Sequence, residues 1–272
     1  PYSNNNGSAM LGENQTNLDN VIGTTNYDIG HVFSTGGGGV ATLGSSCIET
    51  QKARGVTGSS SPIGESFYFD LVAHEFGHQL GANHTFNGDE GGCAGSNRND
   101  ETAVEPGSGS TLMAYAGLCA PQNVQSQSDL YFHAISIEEI RNNLSRGGSR
   151  DCATQTDLIT NKSVPVADAG PDFIIPIGTP FVLKGSGSDG DDDPISYCWE
   201  QVDSEITAVP PSGNSTSGAL YRSFNPVKDP DRYLPRLSTL TSGSLSSTWE
   251  ATPLVDRELN FTLTVRDNNA EA

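Results

Sequence analysis

The stretch that decides the fold is His74-Glu-Phe-Gly-His78-Gln-Leu-Gly81-Ala-Asn-His84. Residues four apart lie on one face of a helix, so His74 and His78 can present two imidazole rings to one cation, with Glu75 beside them. Gly81 allows a sharp turn after the helix, and this turn would bring His84 round as a third nitrogen ligand. The spacing therefore predicts a helix that carries a metal site of three histidines.

Three neutral imidazoles with an open fourth position are typical of a catalytic zinc site, because a structural site is closed by four protein ligands. Zinc lowers the pKa of its bound water towards about 7. Glu75 would take the proton of that water and pass it to the leaving amine. His-Glu-x-x-His alone also occurs by accident on surface helices, but Gly81 and His84 at their places argue against a chance match.

Periodicity predicts the elements around this motif. Apolar residues recur at helical spacing over 65–80, and Gly81 is expected to end that helix. Two strands are predicted before it, over 27–33 and 40–43. An amphipathic helix is predicted over 136–144, whose Ser-x-x-Glu start is typical of a capping box. These elements indicate a domain of the α+β or α/β class.

A second motif follows the histidines, Ser110-Thr-Leu-Met113-Ala-Tyr115. With it, the chain resembles the metzincin metallopeptidases, whose zinc motif is followed by a methionine turn. Tyr27-Asp-Ile-Gly-His-Val-Phe, Gly38-Gly-Val-Ala-Thr-Leu-Gly44 and Cys47 are similar to the strands before the helix in reprolysin-like (adamalysin-type) members, above all bacterial secreted ones. The resemblance covers roughly residues 20 to 152.

The resemblance implies a role for each matching residue. His74, His78 and His84 would be the zinc ligands, and Glu75 the general base and acid. Met113 would lie beneath the metal as its floor, without binding it.

Two further matches leave alternatives open. Tyr115 corresponds to a catalytic tyrosine that in astacin-like and serralysin-like metzincins reaches the zinc or the oxyanion. Reprolysins generally lack it, so plain packing is the alternative. The segment 36–43 corresponds to the sheet edge that pairs with an extended substrate. The alternative is a flexible loop before an edge strand.

The cysteines bear on the compartment and on the loops. None of them forms a Cys-x-x-Cys pair, which argues against a redox or zinc-knuckle motif. Four of the five lie before residue 155, in a segment with few other means of tying its long loops together, which favours disulfides and an oxidising compartment; buried free thiols are the alternative. The resemblance implies the bridges Cys47–Cys152 and Cys93–Cys119 and leaves Cys198 as a buried free thiol. The polar stretch 87–110 has no periodicity and is predicted to wrap the surface.

The length of 272 residues favours two domains. We predict a catalytic domain over 1–160, a twisted mixed sheet with an active-site helix, and an all-β sandwich over 161–272. The segments 166–172, 197–199 and 261–267 resemble immunoglobulin-like modules of the polycystic-kidney-disease type, which are often appended to secreted bacterial enzymes.

Both domains are expected to be shorter than their relatives. Metzincins of this type carry a strand, a helix and a strand before the region that Tyr27 opens, and the residues here are too few for all three. The chain either begins inside the catalytic domain or is a shortened variant. The last strand of the second module is expected to be missing after Asp267.

Charge and hydropathy restrict the partners. The net charge is −19, from 14 basic and 33 acidic residues, and a phosphate backbone is bound by positive surface, so nucleic acid is excluded. No apolar run approaches the roughly 20 residues of a membrane span. We expect a secreted monomer that acts on a protein or peptide, with any secretory signal absent from this chain or already removed.

A calcium ion is a second candidate cofactor. Asp189-Gly-Asp191-Asp-Asp193 resembles a calcium loop, but Pro194 stands where an EF-hand needs glycine, and a strand follows, which excludes an EF-hand. A looser calcium site and a solvated acidic turn remain alternatives. Asp89, Glu90 and Glu105 offer a similar, unassigned choice in the catalytic part.

Together these features predict a secreted zinc-dependent endopeptidase that hydrolyses peptide bonds in proteins, with zinc-bound water activated by Glu75. The alternative is a non-catalytic binding or adhesion protein on a metzincin scaffold, which would be expected to have lost Glu75 or a ligand. None is lost. A zinc amidase or deacetylase is disfavoured, because those enzymes use other ligand spacings.

Overall fold

The computed structural model describes residues 2–145, 152 and 161–269. Its helices are α1 (Gly7–Val21), α2 (His74–Leu80), α3 (Ala134–Leu144) and α4 (Leu237–Thr241), and a π-helical stretch, Ser66–Ala73, leads directly into α2. Its strands are β1 (Val32–Ser34), β2 (Gly38–Ala41), β3 (Gly55–Gly58), β4 (Val166–Asp168), β5 (Phe181–Lys184), β6 (Ser186–Ser188), β7 (Ser196–Gln201), β8 (Asp231–Leu234), β9 (Ser246–Ser247), β10 (Glu250–Ala251) and β11 (Phe261–Arg266). None of the helices in these ranges has the length and apolar character of a membrane span.

Packing divides the chain into two compact units. The first comprises Pro1–Asn83 and Ile135–Gln155, and the second comprises His84–Ala134 and Thr156–Ala272. The domains 1–160 and 161–272 stay a prediction.

The first unit contains a three-stranded mixed sheet in the order β1-β3-β2. β1 runs parallel to β3 and β2 runs antiparallel to it, so that Val32 and Val40 both pair with Val56. Met10 and Leu11 of α1 bury their side chains against Val56 and form the core of this layer. The predicted mixed sheet is present, and β2 lies at its edge within the described residues.

Helix α1 is present before Tyr27, although the sequence pattern did not predict it. Its 15 residues are mostly polar, and only Met10 and Leu11 among its apolar side chains are buried, so the helical periodicity is weak. The start of α1 could have been predicted from Asn6, a residue type that is favoured at the N-cap. Its side chain accepts a hydrogen bond from the N–H of Ala9. The segment before Tyr27, which is too short for a strand, a helix and a strand, therefore holds one full helix.

The other predicted elements of this region differ in their bounds. β1 keeps only the end of the strand predicted over 27–33, and β2 begins two residues before the strand predicted over 40–43. The helix predicted over 65–80 is present as the π-helical stretch followed by α2. Helix α3 begins at Ala134, so Ser136 lies buried inside it, and the capping box is wrong.

The second unit is rich in short antiparallel strand pairs, β4–β6, β5–β8, β7–β11 and β9–β10. The predicted strands over 181–184, 195–199 and 261–265 correspond to β5, β7 and β11. Trp199, Leu220 and Leu263 belong to its apolar core. These pairs do not by themselves show an immunoglobulin-like sandwich, which stays a prediction.

The predicted surface stretch 87–110 is mostly exposed over 89–101, but residues 102–114 of this unit are buried, which corrects the prediction for 102–110. Glu105 holds them in place, because its carboxylate accepts hydrogen bonds from the hydroxyl of Thr85 at 2.7 Å, the N–H of Ser110 at 2.8 Å and the hydroxyl of Thr111 at 2.5 Å. A buried carboxylate with several donors is stable where a lone one would not be. Glu105 therefore organises the methionine-turn segment and has little capacity left for calcium.

Two disulfides close long loops within the units. Cys47 is bonded to Cys152, and Cys93 is bonded to Cys119. Cys198 is buried and unbonded. The pairing that the resemblance implied is confirmed.

Candidate metal centre

Helix α2 carries the histidine motif. The rings of His74 and His78 lie one turn apart with centroids 4.7 Å from each other. Gly81 ends the helix in the left-handed region, with φ of 111°. A Cβ at this position would also lie 2.8 Å from the Cβ of Asn143, so both the turn and the close approach require glycine.

The turn after α2 is anchored by α3. Glu139 accepts hydrogen bonds from the backbone N–H of Asn83 at 2.8 Å and from its side-chain amide at 2.6 Å. A carboxylate that binds both groups of one residue restrains its backbone. His84 is the next residue along the chain, and its ring contacts Phe86, with the centroids 5.2 Å apart.

Each of His74, His78 and His84 has a ring nitrogen that lies within 4.8 Å of those of the other two. The Nδ1 atoms of His78 and His84 lie 2.8 Å from the carbonyl oxygen of Ala82 and 2.5 Å from that of Asn97. A carbonyl only accepts, so each Nδ1 carries the hydrogen and each Nε2 keeps a lone pair for a cation. Outer carbonyl partners of this kind are typical of metal-binding histidines, and the donor set fits zinc.

Glu75 is buried beside His74 and His78 on α2, with 6 % of its surface exposed. Within the described residues its Oε2 has no hydrogen-bond partner. Burial raises the pKa of this carboxyl to about 8. A Cβ on Gly39 of β2 would lie 2.6 Å from both Cγ and Cδ of Glu75, so the missing side chain makes room for the carboxylate.

The model of the metallopeptidase family M12B, reprolysin-like, matches residues 2–146, which is more than half of the chain. The chain belongs to the reprolysin-like M12B metallopeptidases. This family is zinc-dependent, and membership supports a peptidase with a protein substrate. No curated protein and no solved structure matches the chain.

Two residues of the methionine turn occupy defined places in this reprolysin-like peptidase. Met113 is fully buried, and its carbonyl accepts a hydrogen bond from the N–H of Thr85 at 3.2 Å. The ring of Tyr115 packs edge-on against His84, with the centroids 4.6 Å apart. Tyr115 therefore contacts a predicted ligand, while its catalytic role and that of Met113 as a floor stay predictions.

The predicted calcium loop does bring its acidic groups together. One carboxylate oxygen each of Asp189, Asp191 and Asp193 lies within 4.8 Å of the others. Asp189 accepts hydrogen bonds from the N–H groups of Asp191 and Asp193, as an ordinary acidic turn does. Exposed acidic groups often gather without an ion, so calcium is unsupported and stays a prediction.

Sequence reasoning missed the polar residues that join α2 to the sheet. Gln79 is fully buried, and its side chain contacts His31 in the segment before β1. A polar residue on the buried face of an active-site helix was the available signal, because such a residue needs a hydrogen-bonding partner inside the protein.

Proposed function

We propose that this chain is a secreted zinc-dependent endopeptidase, in which His74, His78 and His84 hold the zinc ion and Glu75 is the general base and acid. The observation that carries the proposal is the buried Glu75 carboxylate, whose Oε2 has no partner among the described residues. Leaving a buried carboxylate oxygen unsatisfied costs free energy, so a fold that needed only a scaffold would not be expected to keep it.

Bound zinc supplies Lewis-acid polarisation of the scissile carbonyl and lowers the pKa of water. Glu75 takes the proton from the attacking water and gives it to the amine that leaves. The pKa of about 8 describes Glu75 without a neighbouring cation. A cation nearby favours the ionised carboxylate, so a loaded site holds Glu75 in its basic form near neutral pH.

The substrate chain would pair with strand β2. Only one side of β2 is paired among the described strands, and an added strand gives main-chain hydrogen bonds with little demand on side chains. A Cβ built on Gly37 or Gly38 meets no atom within 4 Å, so the approach beside this edge is open. These features support an extended protein or peptide as the substrate.

The remaining proposals concern organisation. The catalytic domain would span 1–160, followed by an immunoglobulin-like module over 161–272, and the antiparallel strand pairs of the second unit support the module. Secretion is supported by the two disulfides, which persist in oxidising compartments. Tyr115 would assist the reaction from its place against His84.

The test uses the purified chain, its zinc content and the cleavage of casein. Wild type should bind about one zinc ion and cleave casein. Glu75→Ala should keep the zinc and lose activity by about 10²–10⁴-fold, because the general base is gone. Glu138→Ala is the matched control, since Glu138 is an exposed glutamate on α3, and it should behave as wild type.

Three results would contradict the proposal. Two of them are wild type without zinc and equal cleavage by wild type and Glu75→Ala. The third is wild type that binds zinc without cleaving any protein, which would favour the binding or adhesion protein.

A further inference from the structure

A polar seam, formed by the half-buried His31 and by Thr57 and Gln79, joins α2 to the sheet of the first unit. The Nδ1 atom of His31 lies 2.7 Å from Oε1 of Gln79, and its Nε2 lies 2.8 Å from the hydroxyl oxygen of Thr57. Gln79 and Thr57 are both fully buried. Buried polar groups of this kind are costly unless every donor finds an acceptor.

The hydrogen-bond directions in the seam are determined by its outer partner. Nε2 of Gln79 donates to the carbonyl oxygen of Gly30 at 3.0 Å, so the amide oxygen must face His31. Because that oxygen only accepts, Nδ1 of His31 donates to it. Nε2 of the neutral ring then accepts from the hydroxyl of Thr57. One tautomer of His31 satisfies all three residues.

The seam depends on a glycine in β3 and on an aromatic neighbour in α2. A Cβ on Gly55 would lie 2.5 Å from Nδ1 of His31 and closer still to Oε1 of Gln79. Phe76 stacks on the ring of His31 with the centroids 4.6 Å apart and the planes 19° from parallel. Two residues of α2 thus hold His31, one by a hydrogen bond and one by stacking.

The same helix face carries the proposed general base. Gln79 and Glu75 are four residues apart, so they share one face of α2. Glu75 lies against Gly39, and Gly39 pairs with Thr57 in the register of β2 and β3. A rotation of α2 about its axis would therefore move Gln79 in the seam and Glu75 at the site together.

We propose that His31 is a positioning residue, which sets the rotation of α2 through Gln79 and thereby the direction of the Glu75 carboxylate and the His78 ring. Thr57 supports it by holding the Nδ1–H tautomer. The inference rests on the proposed endopeptidase function. A displacement of about 1 Å at a reacting group is enough to slow catalysis strongly, so small rotations matter.

The test removes one hydroxyl from the seam in the holoenzyme. Thr57→Val keeps the shape of a branched side chain but leaves Nε2 of His31 without a donor, whereas Thr57→Ser keeps the hydroxyl. Thr24→Val is the matched control, because its hydroxyl donates to Asp19 at 2.6 Å, outside the seam. We expect kcat of Thr57→Val to fall about tenfold with KM nearly unchanged, and both other variants to resemble wild type.

A second readout does not depend on activity. Cobalt(II) replaces zinc in such sites, and its visible absorption spectrum responds to the ligand geometry. The spectrum of Thr57→Val should shift, while those of Thr57→Ser and Thr24→Val should not. His31→Phe, which keeps a ring to stack on Phe76 but has no ring nitrogen, should show the same shift and serves where Thr57→Val does not fold.

A merely structural seam would give another pattern. Thr57→Val would then lower the unfolding temperature but keep the wild-type kcat and cobalt spectrum, and the positioning proposal would be wrong. Failure of the proposed endopeptidase function would give a different result, because wild type itself would then cleave no protein. The cobalt spectra of the same variants would still decide whether His31 positions the site.

Discussion

Replacing Gly39 by alanine tests whether the edge strand sets the position of the general base. A Cβ at this place would lie 2.6 Å from both Cγ and Cδ of Glu75, whereas ordinary contacts begin at 3.4 Å. The Glu75 side chain must therefore move away by about 1 Å, because β2 is held in the sheet by its pairing with β3. The three atoms nearest to the new methyl group all belong to Glu75, so zinc content is expected to stay at the wild-type value.

The expected effect is large for so small a change. A misplacement of about 1 Å costs on the order of 10²-fold in rate, which corresponds to about 2.7 kcal/mol of transition-state stabilisation. The loss should appear in kcat, because the displaced group acts on the reacting atoms. A loss through poorer pairing of the substrate with β2 would instead raise KM.

Steady-state cleavage of a fluorogenic peptide, with zinc content measured in the same samples, provides the assay. Gly12→Ala is the control, because a Cβ on this residue of α1 meets no atom within 4 Å and should leave both kcat and KM unchanged. Wild-type kcat in Gly39→Ala, with zinc bound, would refute the reasoning that Gly39 makes room for Glu75.

Two further predictions concern stability. Gly12→Ala should raise the free energy of unfolding by about 0.5–1 kcal/mol, because alanine restricts the unfolded chain and is favoured in the interior of α1. Urea unfolding measures this change, and a lower free energy of unfolding than that of wild type would contradict it. Glu200 is fully buried, accepts the N–H of Ala134 at 2.8 Å, and has a pKa that burial raises above its ordinary 4.5. The protonated Glu200 carboxyl contributes its full stabilisation below pH 4.5, and this stabilisation is lost as the pH rises through the raised pKa. Glu200→Gln keeps the hydrogen-bond acceptor but does not titrate, so its free energy of unfolding should fall less than that of wild type over the same pH range. Urea unfolding at a series of pH values measures this difference. Parallel pH profiles of Glu200→Gln and wild type would show that this carboxyl does not titrate as described.

Much of the candidate site could be predicted, because its geometry is local. Residues four apart share a helix face, which places His74 and His78 together whatever the rest of the chain does. Gly81 ends α2 through its own backbone conformation, with φ of 111°. The cysteine pairing came from resemblance to a family, since four cysteines alone allow three connectivities.

Predictions failed where the outcome depended on distant parts of the chain. Helix α1 has little apolar periodicity, and its two buried residues, Met10 and Leu11, become meaningful only against Val56 of β3. The stretch 87–110 contains polar residues typical of a surface loop. Part of it is nevertheless buried, because the Glu105 carboxylate accepts hydrogen bonds both from Thr85, before the stretch, and from Ser110, at its end.

By itself, the sequence determined which residues could hold a metal, because helical spacing and a glycine turn are properties of a short segment. Only the tertiary structure decided which residues must lack a side chain or be polar, and it gives the reasons for Gly39, Gly55 and Gln79. Those reasons lie in contacts between α2, β2, β3 and the segment before β1, which are far apart in the chain. Steric exclusion and the pairing of buried donors with acceptors act through space, so they become visible only once the strands and the helix are brought together.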